Sequence, residues 1–421
     1  MPAERQAGEP ATRRWTGPRE YGFCPGHQPR HNASALHPLN PQKMTPTKLR
    51  YDFLDGIRGL AAIAVMLFHF EVFDVVHVME DTMRLMSGPK AGPAPWHWLG
   101  GGWIAVDLFF VLSGFVIAHS YSGKIIEGMS FRAFAKARLL RLAPVYCLGL
   151  LFGLVAAILT LKFGPESLVK PFHVLTAVVF GLFVLPYVNR YSWPMGFVTL
   201  EKPVFPLNNP SWSMFFELFV NLVFFVYLHK LKRLPGKWLV AVFMILFALA
   251  TWRYTTGNVG WSAENFLYGF PRVMAGFFLG VLIYAWHPRD KTCPWYIPFA
   301  LVLGVFAVAA IDHWLAHLLG SLVLAPLAIL TGAMVKVEGG AKGICAQLGE
   351  ISYPLYLLHL PLYQLAFLLI DFRGVERMVP GIIVGIVALL IAALAGSVDR
   401  RLRARLALRR DRSAVEASPA G

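Results

Sequence analysis

Two ionisable side chains stand at the two ends of an otherwise apolar run, RGLAAIAVMLFH. Arg58 and His69 are eleven residues apart, which in an α-helix is three turns plus about 20°, so they share one face. The rise between them is about 16 Å. With Arg58 at the membrane surface, His69 would lie near the middle of a hydrocarbon core about 30 Å thick. A group buried there is costly and usually functional, although a neutral histidine bonded to a neighbouring helix is the structural alternative.

Two later apolar segments also carry acidic or polar side chains. Asp107 lies in GGWIAVDLFFVLSGF, and Gly114, seven residues later on the same face, would let another helix approach closely. In NNPSWSMFFELFVN, Ser213, Glu217 and Asn221 recur at i, i+4 and i+8 and form a polar stripe. Each of these groups could instead serve only to hydrogen-bond one helix to another.

Three further sets of residues complete the candidates. Arg272 lies mid-span beside a proline and could pair with Asp107 or Glu217. One face of a late helix carries Ser352, Tyr356, His359 and Tyr363. Arg138 and Arg141, at i and i+3 in ARLLRLAP, suit phosphate binding because guanidinium groups bond anionic oxygens in pairs. Anchoring at the cytoplasmic surface explains these two arginines equally well.

These residues together fit acyl transfer from a coenzyme A thioester to a hydroxyl. A neutral imidazole at His69 is a suitable general base near pH 7. A carboxylate, Glu217 or Asp107, would hold its other nitrogen in the required tautomer. The same residues would equally suit a proton-coupled exporter or a glycan-binding sensor without catalysis, so side-chain chemistry alone leaves two classes open.

Composition limits the kind of protein that can present these groups. The chain has 421 residues, 56% of them hydrophobic and 15% charged, which excludes an ordinary soluble domain. The formal charge of +15 is concentrated in short loops and at the ends, as in cytoplasmic loops of membrane proteins, so we expect no nucleic-acid partner. Four scattered cysteines have no metal-ligand spacing, and we expect no metal.

The apolar segments predict an all-α polytopic membrane protein. Eleven candidates lie at 57–76, 102–120, 139–161, 172–188, 212–229, 238–252, 264–286, 295–311, 317–335, 348–370 and 379–398. If all crossed, the basic loop HKLKRLPGK and the basic C-terminal end would lie outside, against the positive-inside rule. Treating 172–188 as a re-entrant segment corrects both. We therefore expect ten spanning helices with both termini cytoplasmic.

This organisation divides the chain into three parts. Residues 1–49 are rich in Pro, Arg, Gly and His and predict a disordered basic arm. Residues 50–400 would form the transmembrane domain. Residues 401–421 would form a basic cytoplasmic tail.

Five motifs in order resemble the acyltransferase-3 family of integral membrane O-acyltransferases. FLDGIRGLAAIAVMLFH is similar to the family's opening Arg-x10-His element, and GGWIAVDLFFVLSGFVI to its second-helix signature with Ser113. ARLLRLAPVY resembles its Arg-x-x-Arg element, NNPSWSMFFELF its Trp-Ser-x-x-x-Glu segment, and ISYPLYLLHLP its closing signature.

The resemblance implies transfer of an acyl group, commonly acetyl, from cytoplasmic acyl-CoA to a hydroxyl of a sugar, glycan, lipid-linked sugar or small molecule at the inner or plasma membrane, among membrane lipids. The implied catalytic residues are His69, Glu217 and Asp107. The implied donor-binding residues are Arg58, Ser113, Arg138 and Arg141. The implied acceptor-binding residues are Trp212, Arg272, Tyr356 and His359. In a variant of this scheme His69 carries the acyl group transiently.

Overall fold

The computed structural model describes residues 50–84, 97–163, 170–189, 193–195, 198–200, 202–311, 313–369 and 378–416. The expected basic arm of residues 1–49 and the last five residues of the expected tail lie outside these ranges. The division into three parts therefore stays a prediction.

The described residues are mainly helical. In the first half the helices are α1 (Asp52–Arg84), a 3₁₀ turn (His97–Ile104), α2 (Ala105–Ile126), α3 (Phe131–Phe163) and α4 (Pro171–Leu182). A small antiparallel sheet follows, in which β1 (Trp193–Met195) pairs with β2 (Val198–Leu200). In the second half the helices are α5 (Ser211–Leu231), α6 (Lys237–Tyr254), a 3₁₀ turn (Phe266–Tyr268), α7 (Gly269–Trp286), α8 (Tyr296–Ala309), α9 (Trp314–Leu319), a π turn (Gly320–Leu324), α10 (Ala325–Gly332), α11 (Gly339–Leu369) and α12 (Met378–Glu416).

Seven helical stretches within the described ranges are long and apolar enough to cross a membrane. They are Gly101–Ile126, Phe131–Phe163, Ser211–Leu231, Lys237–Tyr254, Phe266–Trp286, Trp314–Gly332 and Gly381–Val398. The predicted α-helical, multi-pass class is confirmed for the described residues, which contain only one small two-stranded sheet besides the helices. The count of ten spans and the cytoplasmic termini stay predictions.

The expected re-entrant segment begins with a short helix. α4 has 12 residues, or about 18 Å at 1.5 Å per residue, and is too short to cross the hydrocarbon core alone. Its first helical residue is Pro171, a position where the missing N–H costs nothing. The re-entrant placement of 172–188 stays a prediction.

The helices α1 and α11 pack closely and run in the same direction. Close packing is possible because Gly59 has no side chain: a Cβ there would lie 2.7 Å from the Leu348 carbonyl oxygen. Arg58 near the start of α1 bonds Ser352, and His69 further along bonds His359. The partners advance together along both helices, so the two are parallel.

A buried irregular segment, residues 203–210, enters the helical bundle between α3 and α11. Val204 and Leu207 are buried in it. Pro361 in α11 has no N–H, which frees the carbonyl of Leu357 four residues earlier. Asn208 Nδ2 donates to that Leu357 oxygen at 2.9 Å. A side chain of the irregular segment thus satisfies the carbonyl that is freed in the proline-interrupted helix, as burial in a membrane requires.

Glycines also allow α2 and α7 to touch, as the sequence predicted for Gly114. A Cβ at Gly114 would overlap the Phe277 carbonyl oxygen of α7, and a Cβ at Gly280 would overlap the Val111 carbonyl oxygen of α2. The contact is reciprocal, so neither helix can shift to relieve a clash at one glycine without worsening the other.

We expect Gly114→Ala to destabilise the protein, because the added methyl group meets backbone rather than a flexible side chain. The cost of such overpacking is about 1–3 kcal/mol. The measurement is thermal unfolding of the detergent-purified chain. Gly343→Ala is the matched control, since a Cβ at that helical glycine has nothing within 4 Å. Equal melting temperatures for the two variants would contradict the close contact.

Candidate active site

A cavity of about 380 Å³ lies among α1, α2, α3, α5, α11 and α12. Its walls combine aromatic and aliphatic side chains with many polar groups. The polar lining residues are Arg58, Ser113, Arg138, Arg141, Ser213, Glu217, Glu350, Ser352, Tyr353, Tyr356 and Arg400. Four of them are arginines, so the cavity is suited to an anionic ligand.

Arg138 and Glu217 form an ion pair in the wall of the cavity. Arg138 Nη2 lies 2.6 Å from Glu217 Oε1, and Ser113 Oγ donates to the same carboxylate oxygen at 3.2 Å. Arg138 is buried, and its Nε has no hydrogen-bond partner among the described residues. A buried guanidinium N–H without a partner costs about 1–3 kcal/mol, so a ligand that accepts from it would be stabilised.

Arg58 is bound on several sides to α1 and α11. Its Nε donates to Ser352 Oγ at 2.9 Å, and Nη2 donates to the Gly349 carbonyl at 2.8 Å. Nη2 also lies 3.0 Å from Asp55 Oδ1 one turn earlier. Arg58 therefore both lines the cavity and fixes the register of α1 on α11.

Hydroxyl groups from α5 and α11 lie at the cavity beside residues 203–210. Ser213 Oγ and Tyr356 OH are 2.7 Å apart, and Tyr356 OH donates to the Pro210 carbonyl at 3.2 Å. The sequence correctly gave Ser213 and Glu217 a common face, since both line the cavity. Asn221, the third member of that stripe, is buried and has no hydrogen-bond partner within the described ranges.

His69 and His359 are in direct contact one helical turn beyond Tyr356. His69 Nδ1 lies 2.9 Å from the Val65 carbonyl, and His359 Nδ1 lies 2.9 Å from the Leu355 carbonyl. A carbonyl only accepts, so in the neutral rings both Nδ1 atoms carry the hydrogen. His359 Nε2, 3.2 Å from His69 Nδ1, is then a second acceptor for that hydrogen. The remaining nitrogen, His69 Nε2, is then unprotonated and is the basic atom of the ring.

This arrangement differs from the expected carboxylate partner of His69. Within the described residues no hydrogen bond joins His69 to Asp107 or Glu217, because both carboxylates are bound elsewhere. Asp107 Oδ1 and Oδ2 accept from Arg272 at 2.8 and 3.0 Å. The tautomer of His69 is set instead by a backbone carbonyl and a second histidine.

Arg272 and Asp107 form the centre of a separate buried cluster. The Arg272 guanidinium lies 5.3 Å from the ring centres of both Trp103 and Trp212 and donates to the Val259 carbonyl at 2.9 Å. The described residues that line the cavity do not include Arg272, Asp107 or Trp212. The pairing with Asp107 is one of the two that the sequence allowed.

Ser321 completes this cluster and was not among the residues selected from the sequence. Its Oγ donates to Asp107 Oδ2 at 2.8 Å. Ser321 lies in the π turn Gly320–Leu324, which interrupts the helical stretch Trp314–Gly332. A π turn changes which residues share a face, so the regular period of 3.6 residues per turn does not describe the faces of this stretch.

The start of α1 is tied to the end of α7 outside the membrane-spanning stretch. His287 Nδ1 donates to the Tyr284 carbonyl at 3.0 Å, so its Nε2 accepts from Tyr51 OH at 3.1 Å. Burial lowers the pKa of His287 and favours the neutral ring that can accept. This bond fixes the chain seven residues before Arg58.

Residues 51–398 match the sequence model of the acyltransferase-3 family, which is described as an acyltransferase domain. The chain belongs to the acyltransferase-3 family. This confirms the resemblance found in the five motifs and the expected class of enzyme, a membrane O-acyltransferase. It disfavours the alternative of an exporter or a sensor without catalysis.

Several characterised sequences are similar to this acyltransferase. "Protein 2 in picA locus" of Rhizobium radiobacter is 36% identical over 183 residues, 42% of this chain and 81% of that protein. Acyltransferase MdmB of Streptomyces mycarofaciens is 27% identical over 342 residues, 75% of this chain and 80% of that protein. O-acetyltransferase OatA of Staphylococcus aureus is 24% identical over 380 residues, 83% of this chain but 55% of OatA. No solved structure matches the chain significantly.

The acyltransferase cavity contains residues that the sequence analysis did not select. Tyr353, Glu350 and Arg400 all line it. Tyr353 follows Ser352 in the closing motif, so its type and place were visible, but its bond to the Leu142 carbonyl at 2.7 Å depends on how α3 packs. In the part of the chain that the structure describes, no three His, Cys, Asp or Glu side chains form a metal site.

We expect Arg272→Met to destabilise the acyltransferase by about 3–5 kcal/mol, because it leaves the buried Asp107 without its counter-charge. Combining it with Asp107→Leu removes the uncompensated charge and should restore much of the loss. Thermal unfolding of both variants measures the coupling. A double variant no more stable than Arg272→Met would show that the pair is not the source of the effect.

Proposed function

We propose that this acyltransferase moves an acyl group, acetyl by default, from cytoplasmic acyl-CoA to a hydroxyl of a sugar, glycan or small-molecule acceptor at the cell membrane. The single observation that carries the proposal is the cavity with four arginines that lies one helical turn from the His69–His359 pair. Its volume of about 380 Å³ falls in the range of small-molecule sites, roughly 300–1,000 Å³.

Donor binding is assigned to the arginines of the cavity. Coenzyme A carries phosphates, and Arg138 and Arg141 are adjacent on one face of α3. The partnerless Nε of buried Arg138 supports this role, because a ligand oxygen would satisfy it. Arg58 contributes positive charge while its own bonds keep α1 in place. Glu217 and Ser113 orient Arg138 rather than His69 in this proposal.

The thioester is assigned to the region of Ser213 and Tyr356. Attack on its carbonyl puts negative charge on the carbonyl oxygen, and hydroxyl donors fixed beside that oxygen would stabilise the charge. The bond of 2.7 Å between Ser213 and Tyr356 holds the two hydroxyls in a fixed position, and Tyr356 would turn its single proton from the Pro210 carbonyl to the charged oxygen.

His69 is the proposed general base. Its Nε2 removes the proton from the acceptor hydroxyl as the oxygen attacks the thioester carbon; the carbon–sulfur bond breaks, and the proton ends on the departing thiol. His359 is a positioning residue, since it accepts from His69 Nδ1 and keeps the lone pair on Nε2. In the variant with a transient acyl carrier, the same Nε2 attacks the thioester first.

The names of two relatives support the choice of acyl group. OatA is named an O-acetyltransferase and MdmB an acyltransferase, which supports acetyl as the first group to test. The acceptor is identified by mass spectrometry of surface glycans and secreted metabolites from cells with and without the gene.

We expect His69→Ala to abolish acyl transfer while the protein stays folded and inserted. Purified protein in lipid vesicles receives acetyl-CoA labelled in the acetyl group, and label on the acceptor is counted. His229→Ala is the matched control, because His229 is exposed at the end of α5 and does not line the cavity. Undiminished transfer by His69→Ala would rule out this role. Label that stays on coenzyme A while a solute crosses the vesicle would instead support the exporter.

Replacing His359 tests the positioning role separately. We expect His359→Ala to lower kcat with little change in KM for acetyl-CoA, because the donor site is intact. Loss of a buried hydrogen bond of about 1–3 kcal/mol corresponds to roughly 5- to 150-fold in rate. His359→Gln, whose amide oxygen can accept from Nδ1, should recover part of the loss. A change confined to KM would contradict the role.

A further inference from the structure

The last helix contributes one cation to the cavity, and none of the five sequence motifs contains it. Arg400 Nη1 on α12 donates to Glu350 Oε1 on α11 at 3.0 Å, and both side chains line the cavity. One turn earlier, a Cβ at Gly396 would lie 3.3 Å from the Glu350 carbonyl oxygen. This close approach of α12 to α11 holds Arg400 over the cavity.

The pair of Arg400 and Glu350 is much more exposed than the other ion pairs of the cavity. The Arg400 side chain is 61% exposed and that of Glu350 is 39% exposed, against 5% for Arg138 and 23% for Arg58. An exposed ion pair contributes about 0–1 kcal/mol. Exchanging Glu350 for a stronger anion therefore costs little at this end of the cavity, whereas Arg58 and Arg138 are fixed by several bonds.

We infer that Arg400 binds the ribose phosphate monoester of coenzyme A, and that Glu350 is the counter-ion it gives up when the donor enters. This inference rests on the proposed function. The monoester is the outermost group of the donor when its thioester lies at Ser213 and Tyr356. It carries up to two negative charges and three acceptor oxygens, so it competes well with a single carboxylate for a guanidinium.

Two opposite effects follow from this exchange. Removing Arg400 weakens binding only of donors that carry the monoester. Removing the charge of Glu350 strengthens binding of the same donors, because Arg400 no longer has a competing partner. Within the described ranges, neither residue contacts His69 or the site proposed for the thioester, so the effect is expected in Kd and KM for the donor.

The test compares coenzyme A with dephospho-coenzyme A, which lacks the monoester. Their Kd values are measured on the detergent-purified full chain by calorimetry, and KM is measured with the acetyl thioesters. We expect Arg400→Gln to raise Kd for coenzyme A roughly threefold to tenfold. We expect Glu350→Gln to lower it roughly twofold to fivefold. With dephospho-coenzyme A both variants should match the wild type.

Two controls separate this site from a general effect of charge. Arg289→Gln removes one positive charge from a residue that does not line the cavity and should leave both Kd values unchanged. The double variant Glu350→Gln/Arg400→Gln should behave as Arg400→Gln does. Thermal unfolding confirms that each variant is folded.

Three results would overturn the assignment. If Arg400→Gln raised the Kd of coenzyme A and the Kd of dephospho-coenzyme A equally, the effect would come from the overall positive charge of the cavity and not from contact with the monoester. An unchanged Kd for both would mean that Arg400 does not contact the donor. An effect of Arg400→Gln on Kd that appears only when anionic lipid is added to the detergent-purified chain would assign Arg400 to a lipid headgroup phosphate. Wild-type protein that neither binds coenzyme A nor consumes acetyl-CoA would instead refute the proposed function itself.

Discussion

The parallel packing of α1 on α11 is the constraint on which the site depends. It is possible because Gly59 leaves room for the backbone of Leu348. The same contact brings Arg58 to Ser352 near the start of the two helices and His69 to His359 further along. An arginine that lines the cavity and the histidine pair are therefore set by one helix–helix interface. A shift of one turn, about 5.4 Å, would separate both pairs at once.

Charged groups inside the bundle fall into two environments. Each guanidinium nitrogen of Arg272 donates to Asp107 or Val259, and two tryptophan rings flank the group, so its charge is compensated within the protein. Arg138 pairs with Glu217, but its Nε has no partner within the described part of the chain. Satisfied groups of the first kind hold helices together, whereas the unsatisfied group has bonding capacity left for a ligand. Between these two buried arginines, the difference in satisfaction distinguishes Arg138 in the cavity wall from Arg272 in the separate cluster.

The sequence predicted which residues share a face, but not which helices face each other. Helical period placed Arg58 with His69 and Ser213 with Glu217, and each pair does lie along one side of its helix. The period could not show that His69 meets His359 rather than a carboxylate, since that depends on how α1 packs against α11. Ser321 was not predicted as a partner of Asp107, because it lies in a π turn that changes the helical register. Arg400 was not predicted as a cavity residue, because the local sequence does not determine which residues of α12 lie beside Glu350 of α11.

Pro361 shows that a proline inside a helix can be tolerated when another part of the chain satisfies the carbonyl that it frees. Pro361 would normally end or weaken a helix, yet α11 continues to Leu369. The freed Leu357 carbonyl is satisfied by Asn208, which is far away in sequence. The sequence of α11 alone does not predict this bond. The sequence of residues 203–210 alone does not explain why this segment is buried.

The same buried segment has a consequence for the membrane as an electrical insulator. Tyr356 at the cavity bonds the Pro210 carbonyl, and Val204 and Leu207 of this segment pack among the helices without access to solvent. Buried apolar side chains are an unfavourable environment for hydrated ions beside the cavity. Apolar packing of this kind would keep the bilayer insulating beside a cavity that is lined by four arginines.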